Sequence, residues 1–328
     1  MFLSLRTLLV TTLSCWLLDK AHAGWRLDTS CNLYANDIRT SWSSALDNSK
    51  AVIALQKNPY FLKAAGYLMP LIYVLNAIMR HAKIIEFYSE ELSPILNLLL
   101  EDDVIVYCDM SRFETKAVKV NGRTQTVHYD KVRNVDWPHG EYGEFAWQGC
   151  SGLGFPQFVF AASIVYGGGK PDQMQLCHWY LNWIISKKFK DSTSVKPAWL
   201  ENVLPETEEV LLNLHKTKMD LRTGMLLDIK IGHELTHLTR AGQSIDVYTN
   251  DPVYADGWNY CINNAAQGNE VAENLAMLGA AADMIQEDEV MPDLAGNIVP
   301  LSLNAKMAKM AKRAAGFVRE GGGGGDGG

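Results

Sequence analysis

His233 and His237 stand four residues apart in Gly232-His233-Glu234-Leu235-Thr236-His237, a His-Glu-x-x-His pattern. On an α-helix, residues at that spacing lie on one face, one turn above the other. Both imidazoles can then aim at a single point, and zinc takes such nitrogens at roughly 2.0–2.1 Å in a tetrahedron. Glu234, one residue along, can reach a water beside the ion without binding the ion itself. The chemistry implied is metal-assisted hydrolysis with Glu234 as general base. The plainer explanation is a surface helix that happens to carry two histidines.

The flanks predict the helix that this chemistry needs. Met225 to Ile231 contains neither proline nor glycine, and Leu227, Ile231, Leu235 and Leu238 recur at helical spacing to make one buried stripe. Gly232 costs some helix propensity and is expected to allow close packing near the metal.

A catalytic zinc site takes a third protein ligand and leaves one position to water. The downstream candidates are Asp246, Asp251, Asp256, Glu270 and Glu273. In Thr249-Asn250-Asp251-Pro252-Val253-Tyr254-Ala255 a carboxylate follows a turn, with a tyrosine three residues later. That phenol could donate to the oxyanion formed when water attacks a carbonyl; otherwise Tyr254 is a core aromatic. Asp246, nine residues after His237, is the rival third ligand, or else a turn residue after Ser244. Glu270 would arrive on a second helix, unless it and Glu273 simply complement that helix's dipole.

With those residues in view, the chain resembles the deuterolysin-type zinc peptidases, the aspzincins, common as secreted fungal enzymes. Their signature is H-E-x-x-H followed by G-T-x-D-x-x-Y-G. His233, Glu234 and His237 match the first part, and Thr249, Asp251 and Tyr254 the second; Tyr248 and Ala255 stand where glycines would be. Val271-Ala272-Glu273-Asn274-Leu275 is similar to the family's Asn-Ala-Asp-Asn-Tyr-like segment but keeps only the alanine and the second asparagine. The resemblance implies a zinc endopeptidase with His233, His237 and Asp251 as metal ligands, Glu234 and Tyr254 as catalytic groups, and a protein or peptide as substrate. The specific motifs are confined to about residues 225–280.

The elements that must position these residues come from 328 residues, 48% of them hydrophobic, which is enough for one large core. A net charge of −7 argues against nucleic acid, which needs a basic face. Arg6, the apolar run Thr7–Leu18 and Ala21-His22-Ala23 read as a secretory signal peptide over residues 1–23. Secretion would put Cys31, Cys108, Cys150, Cys177 and Cys261 in an oxidising compartment, where most should pair and one is left over.

Gly24 to about Pro59 is expected to be largely helical, capped by Thr29 or Ser30, with Ile38, Trp42, Ala45 and Leu46 on one face. Phe61–Met79 reads as a buried core helix rather than a membrane span, because Lys63, Pro70 and Asn76 interrupt it. Ile84–Leu100 continues the helical pattern, with Pro94 as a break. Val104–Cys108 suits a strand. Asn121-Gly122 predicts a hairpin between Ala117–Val120 and Arg123–Val127. Residues 134–154 read as loop, Phe158–Val165 as a strand, Gln175–Lys187 as core and Pro205–Leu214 as a helix. Asn263–Ile285 is helical, with Val271, Leu275, Leu278, Ala281 and Ile285 as its stripe. Lys306–Arg319 is basic and amphipathic, and Gly321–Gly328 is a flexible tail.

The expectation is therefore an α+β, mostly helical, zincin-like metallopeptidase fold with a small β-sheet: signal peptide 1–23, peptidase domain 24–295, basic segment and tail 296–328. It binds Zn2+, is secreted, inserts stably in no membrane and hydrolyses peptide bonds. The alternatives are a catalytically inactive secreted effector or binding protein on the same fold, and a protein whose zinc only staples helices.

Overall fold

The computed structural model describes residues 24–92, 104–120, 122–132, 134–137, 141–151, 159–165, 171–187, 190–192, 226–247 and 257–301. The signal segment 1–23, the Pro205–Leu214 helix, Pro94 and the C-terminal basic stretch all lie outside them.

The first described residues are not helical. β1 (Trp25–Leu27) pairs in parallel with β2 (Val104–Tyr107), and Asp28 then caps a short 3-10 turn by accepting from the Ser30 N–H. Three residues are too few to display a strand's alternation, which is why the sequence reads through them. α1 (Ala35–Ala54) begins after that turn with no side-chain cap, so neither Thr29 nor Ser30 caps it; Ile38, Trp42, Ala45 and Leu46 are buried as predicted.

The apolar run 61–79 is two helices. α2 (Pro59–Leu68), capped by Asn58, and α3 (Val74–Tyr88) meet at a 107° bend. Pro70 lacks an N–H and disfavours helical geometry at the residue before it, and Met69 is accordingly extended at φ −162°. Phe61, Ala64, Ala65 and Leu68 are core, whereas Leu71, Ile72 and Leu75 are exposed, so the run is only partly buried. No single described helix is long and apolar enough to cross a membrane. α3 ends at Tyr88, and residues 93–100 of the pattern expected to continue to Leu100 lie outside the described residues.

β3 (Phe113–Val120) and β4 (Arg123–Asp130) form the predicted hairpin, closing at Val120 opposite Arg123 with Gly122 at φ +77°. β5 (Val135–Asp136) adds a short third strand. The stretch read as loop contains α4 (Glu141–Ser151). Its Gly149 is there for packing: an added Cβ would lie 2.5 Å from Val159. β6 (Ala161–Ile164), β7 (Gln173–Leu176) and α5 (His178–Ile185) follow. Then come α6 (Leu227–His237), α7 (Trp258–Asn263), α8 (Ala272–Asp288) and the hairpin β8 (Val290–Pro292)–β9 (Ile298–Pro300).

The molecule is thus α+β with small sheets. The main sheet runs β1-β2-β7-β6, parallel except for β6, the antiparallel edge strand. α6 lies between two apolar cores. Leu227, Ile231, Leu235 and Leu238 pack with the sheet-side residues, as their spacing predicts. Ile229 packs on the other side with Val271, Leu275, Leu278, Ala281 and Ile285, the predicted stripe of α8. Gly232 faces Ala45 of α1, but an added Cβ would sit at an ordinary 3.9 Å, so close packing does not require glycine there. Cys31–Cys108 and Cys150–Cys177 are disulfides; Cys261 is buried and in neither.

One buried histidine makes a testable contribution to the helical layer. His81 of α3 bonds the Ser49 hydroxyl of α1 at 3.0 Å, and burial pushes its pKa down to about 4. Its ordinary value is about 6.5. A depressed pKa contributes stability that is complete above the unfolded value and is lost as pH falls toward the folded one. The window is therefore pH 6.5 to 4, and about 2–3 kcal/mol should vanish across it. Buried Asp228 of α6, raised by burial to about 6, works in the opposite sense: its penalty is relieved as pH falls below 6. The two offset in the wild type. Urea unfolding of His81→Gln and wild type at pH 7.5 and 4.5, with chelator present, should isolate the His81 share as a difference in slope with pH. Parallel slopes would show that His81 does not carry it.

Candidate metal centre

The ends of three elements meet at this site. α6 presents His233 and His237 on one face, with their Nε2 atoms 3.1 Å apart. The chain then reverses through a 3-10 turn at Thr239–Ala241 and Gly242, whose φ of +104° suits glycine. The Ser244 N–H donates back to the Thr236 carbonyl at 3.0 Å. Ile245 is clamped to the start of α8: its N–H donates to the Glu270 carbonyl at 2.8 Å, and its carbonyl accepts from Ala272 N–H at 3.0 Å. The next residue, Asp246, is thereby carried over the two histidines. Its Oδ1 lies 3.1 Å from His233 Nε2 and 3.3 Å from His237 Nε2.

These three donor atoms form a triangle with edges of 3.1, 3.1 and 3.3 Å. Ligands at about 2.0–2.1 Å around a tetrahedral ion sit roughly 3.3 Å apart. His233, His237 and Asp246 could therefore hold a metal ion. His233 is buried, His237 less so, and Asp246 has 39% of its side chain exposed, so the centre opens to solvent on the aspartate side.

Both outer ring nitrogens are engaged. His237 Nδ1 lies 2.8 Å from the Ser244 carbonyl, and His233 Nδ1 lies 3.0 Å from Glu273 Oε2. Glu273 also accepts the Gly257 N–H at 3.0 Å, and Lys230 Nζ is 3.7 Å away. Glu234 is buried, and its Oε2 has no hydrogen-bond partner among the described residues. A buried carboxylate oxygen without a donor is costly unless a water or ligand reaches it. β6 abuts this end of α6, with the Ser163 hydroxyl donating to the Glu234 carbonyl at 3.0 Å.

Electrostatics follow the same geometry. Burial disfavours the His233 imidazolium, but Asp246 and Glu273 outweigh it and push the pKa up to about 10. His237 is raised in the same sense, burial again being overcome by Asp246. Burial would raise Asp246, yet the two histidines hold it well below the usual carboxylate range. Positive charge is thus favoured at the point where the donors converge.

Of the residues predicted to form the site, His233, Glu234 and His237 come together. Asp251 and Tyr254 lie outside the described residues, as does Asp256. Among the described residues the third member of the cluster is Asp246. Glu270 is exposed and uses its backbone carbonyl, not its carboxylate, to help place Asp246. Lys230 and Ser244 were not singled out by the sequence. The available signal for Lys230 was a lysine one helical turn before His233, on the histidine face. Ser244 contributes a backbone oxygen, for which a sequence carries no signal. No protein-family model, curated protein or solved structure matches this chain.

Proposed function

We propose that this protein is a secreted, zinc-dependent endopeptidase of zincin-like fold, akin to the aspzincins. The observation that carries the reading is the donor triangle of His233, His237 and Asp246 beside the unpartnered Oε2 of Glu234. Charge supports a bound cation. Among the described residues the carboxylates of Glu234, Asp246 and Glu273 outnumber the ammonium of Lys230. Negative charge that is partly buried beside two imidazoles favours a cation in contact with it. Bound there, zinc would supply Lewis acidity, lowering the pKa of an adjacent water to about 7.

The chain's own groups supply the rest. Glu234 would take a proton from the attacking water and return it to the leaving amine. The β6 edge, with no strand beyond it among the described residues, offers backbone groups to which an extended peptide can add as a further strand. That favours a polypeptide substrate over a compact small molecule. Two disulfides are compatible with an extracellular protein.

Purified protein given stoichiometric zinc should cleave casein, and a chelator should stop it. Tight zinc binding without cleavage would favour the inactive binding-protein alternative; no zinc binding would remove the reading altogether.

A further inference from the structure

Resting on the metal-centre reading, we propose that Glu273 is a positioning residue that holds His233 in the tautomer presenting Nε2 to the ion, with Lys230 and the Gly257 N–H holding Glu273 in turn. Glu273 is 2% exposed and lies on α8, not on the helix that carries the histidines. Its Oε2 faces His233 Nδ1 at 3.0 Å and Lys230 Nζ at 3.7 Å, while Oε1 accepts the Gly257 N–H at 3.0 Å. Both oxygens are thus committed away from the donor triangle, and Glu273 is outside the group that could hold the ion.

A neutral imidazole carries one N–H. With that proton on Nδ1 and donated to Glu273, the Nε2 lone pair is left for the metal. The carboxylate also makes the ring a stronger donor. His237 obtains the same tautomer from the neutral Ser244 carbonyl. The centre is therefore asymmetric: one histidine is backed by charge and the other by a peptide dipole.

The support for Glu273 is itself specific. An unpaired carboxylate this deep would be costly, and Lys230, also buried, offsets it. Gly257 sits at φ +89°, a conformation that side chains rarely adopt, and this aims its N–H at Oε1. Helix α8, helix α6 and the entry to α7 thus converge on one imidazole nitrogen.

The test is zinc affinity by competition with a chromophoric chelator, read alongside 15N-NMR of the His233 ring in the zinc-loaded protein. The variants are Glu273→Ala and the double substitution Lys230→Met/Glu273→Leu, which removes the acceptor and both buried charges while keeping side-chain bulk and so guards against misfolding. Wild type should bind one zinc, with His233 protonated at Nδ1 and that proton slow to exchange. Both variants should bind zinc roughly 10–100-fold more weakly, with the Nδ1 proton exchanging freely. Affinity within twofold of wild type and an unchanged His233 signal would overturn the role of Glu273 while leaving the metal centre intact. Failure of the wild type itself to bind zinc would overturn the underlying reading.

Discussion

Replacing Asp246 with alanine is expected to abolish zinc binding at the proposed centre. Asp246 supplies the only carboxylate oxygen in the described donor triangle, at 3.1 and 3.3 Å from the two imidazole nitrogens. Without it, two neutral imidazoles must hold a dication with no compensating negative charge in contact. Losing an outer partner of a ligand typically costs 10–100-fold in metal affinity, so losing a ligand should cost more, roughly 1,000-fold or beyond. Elemental analysis after dialysis against micromolar chelator should find near-stoichiometric zinc in the wild type and almost none in Asp246→Ala. Asp251→Ala provides the contrast, because the family signature would make Asp251 the ligand. Zinc lost only in Asp251→Ala would return the third ligand to the position expected from the sequence. Loss in both would mean a site closed by four protein ligands, which is the signature of a structural zinc.

Glu234→Gln should separate metal binding from turnover. Glutamine keeps the shape of the side chain and removes its ability to take a proton. Glu234 is outside the donor triangle, so zinc content should stay near that of wild type. Positioned general bases contribute roughly 100- to 10,000-fold, and peptide hydrolysis should fall by that factor. Single-turnover cleavage of a fluorogenic peptide, normalised to bound zinc, measures it directly. Activity within threefold of wild type would remove Glu234 from the mechanism.

What could be read from the sequence and what could not follow a physical divide. Local periodicity places α6 and its stripe Leu227–Ile231–Leu235–Leu238, and the four-residue spacing puts both histidines on one face. The Asn121-Gly122 turn fixes the hairpin register from two residues alone. The position of Asp246 is different in kind. It depends on the backbone of Ile245 pairing with residues 270–272, a contact between segments distant in sequence. No spacing rule from His237 contains that information, and a family signature points elsewhere. Glu273 was visible as an acid near a helix start, but its function depends on which atom of His233 it meets. α4 was missed because Gly149 looks like a loop residue; its role, close contact with Val159, exists only after folding.

Were the protein the proposed peptidase, the Cys150–Cys177 bridge would bear on how it survives cutting by its own copies. It joins the end of α4 to the residue after β7, so β6 and β7 lie wholly within one covalent loop. A cut anywhere along that loop opens the chain without releasing either piece. The strand proposed to seat the substrate would stay tethered on both sides of the nick. Such damage would be silent on a non-reducing gel and would show as two fragments only after reduction.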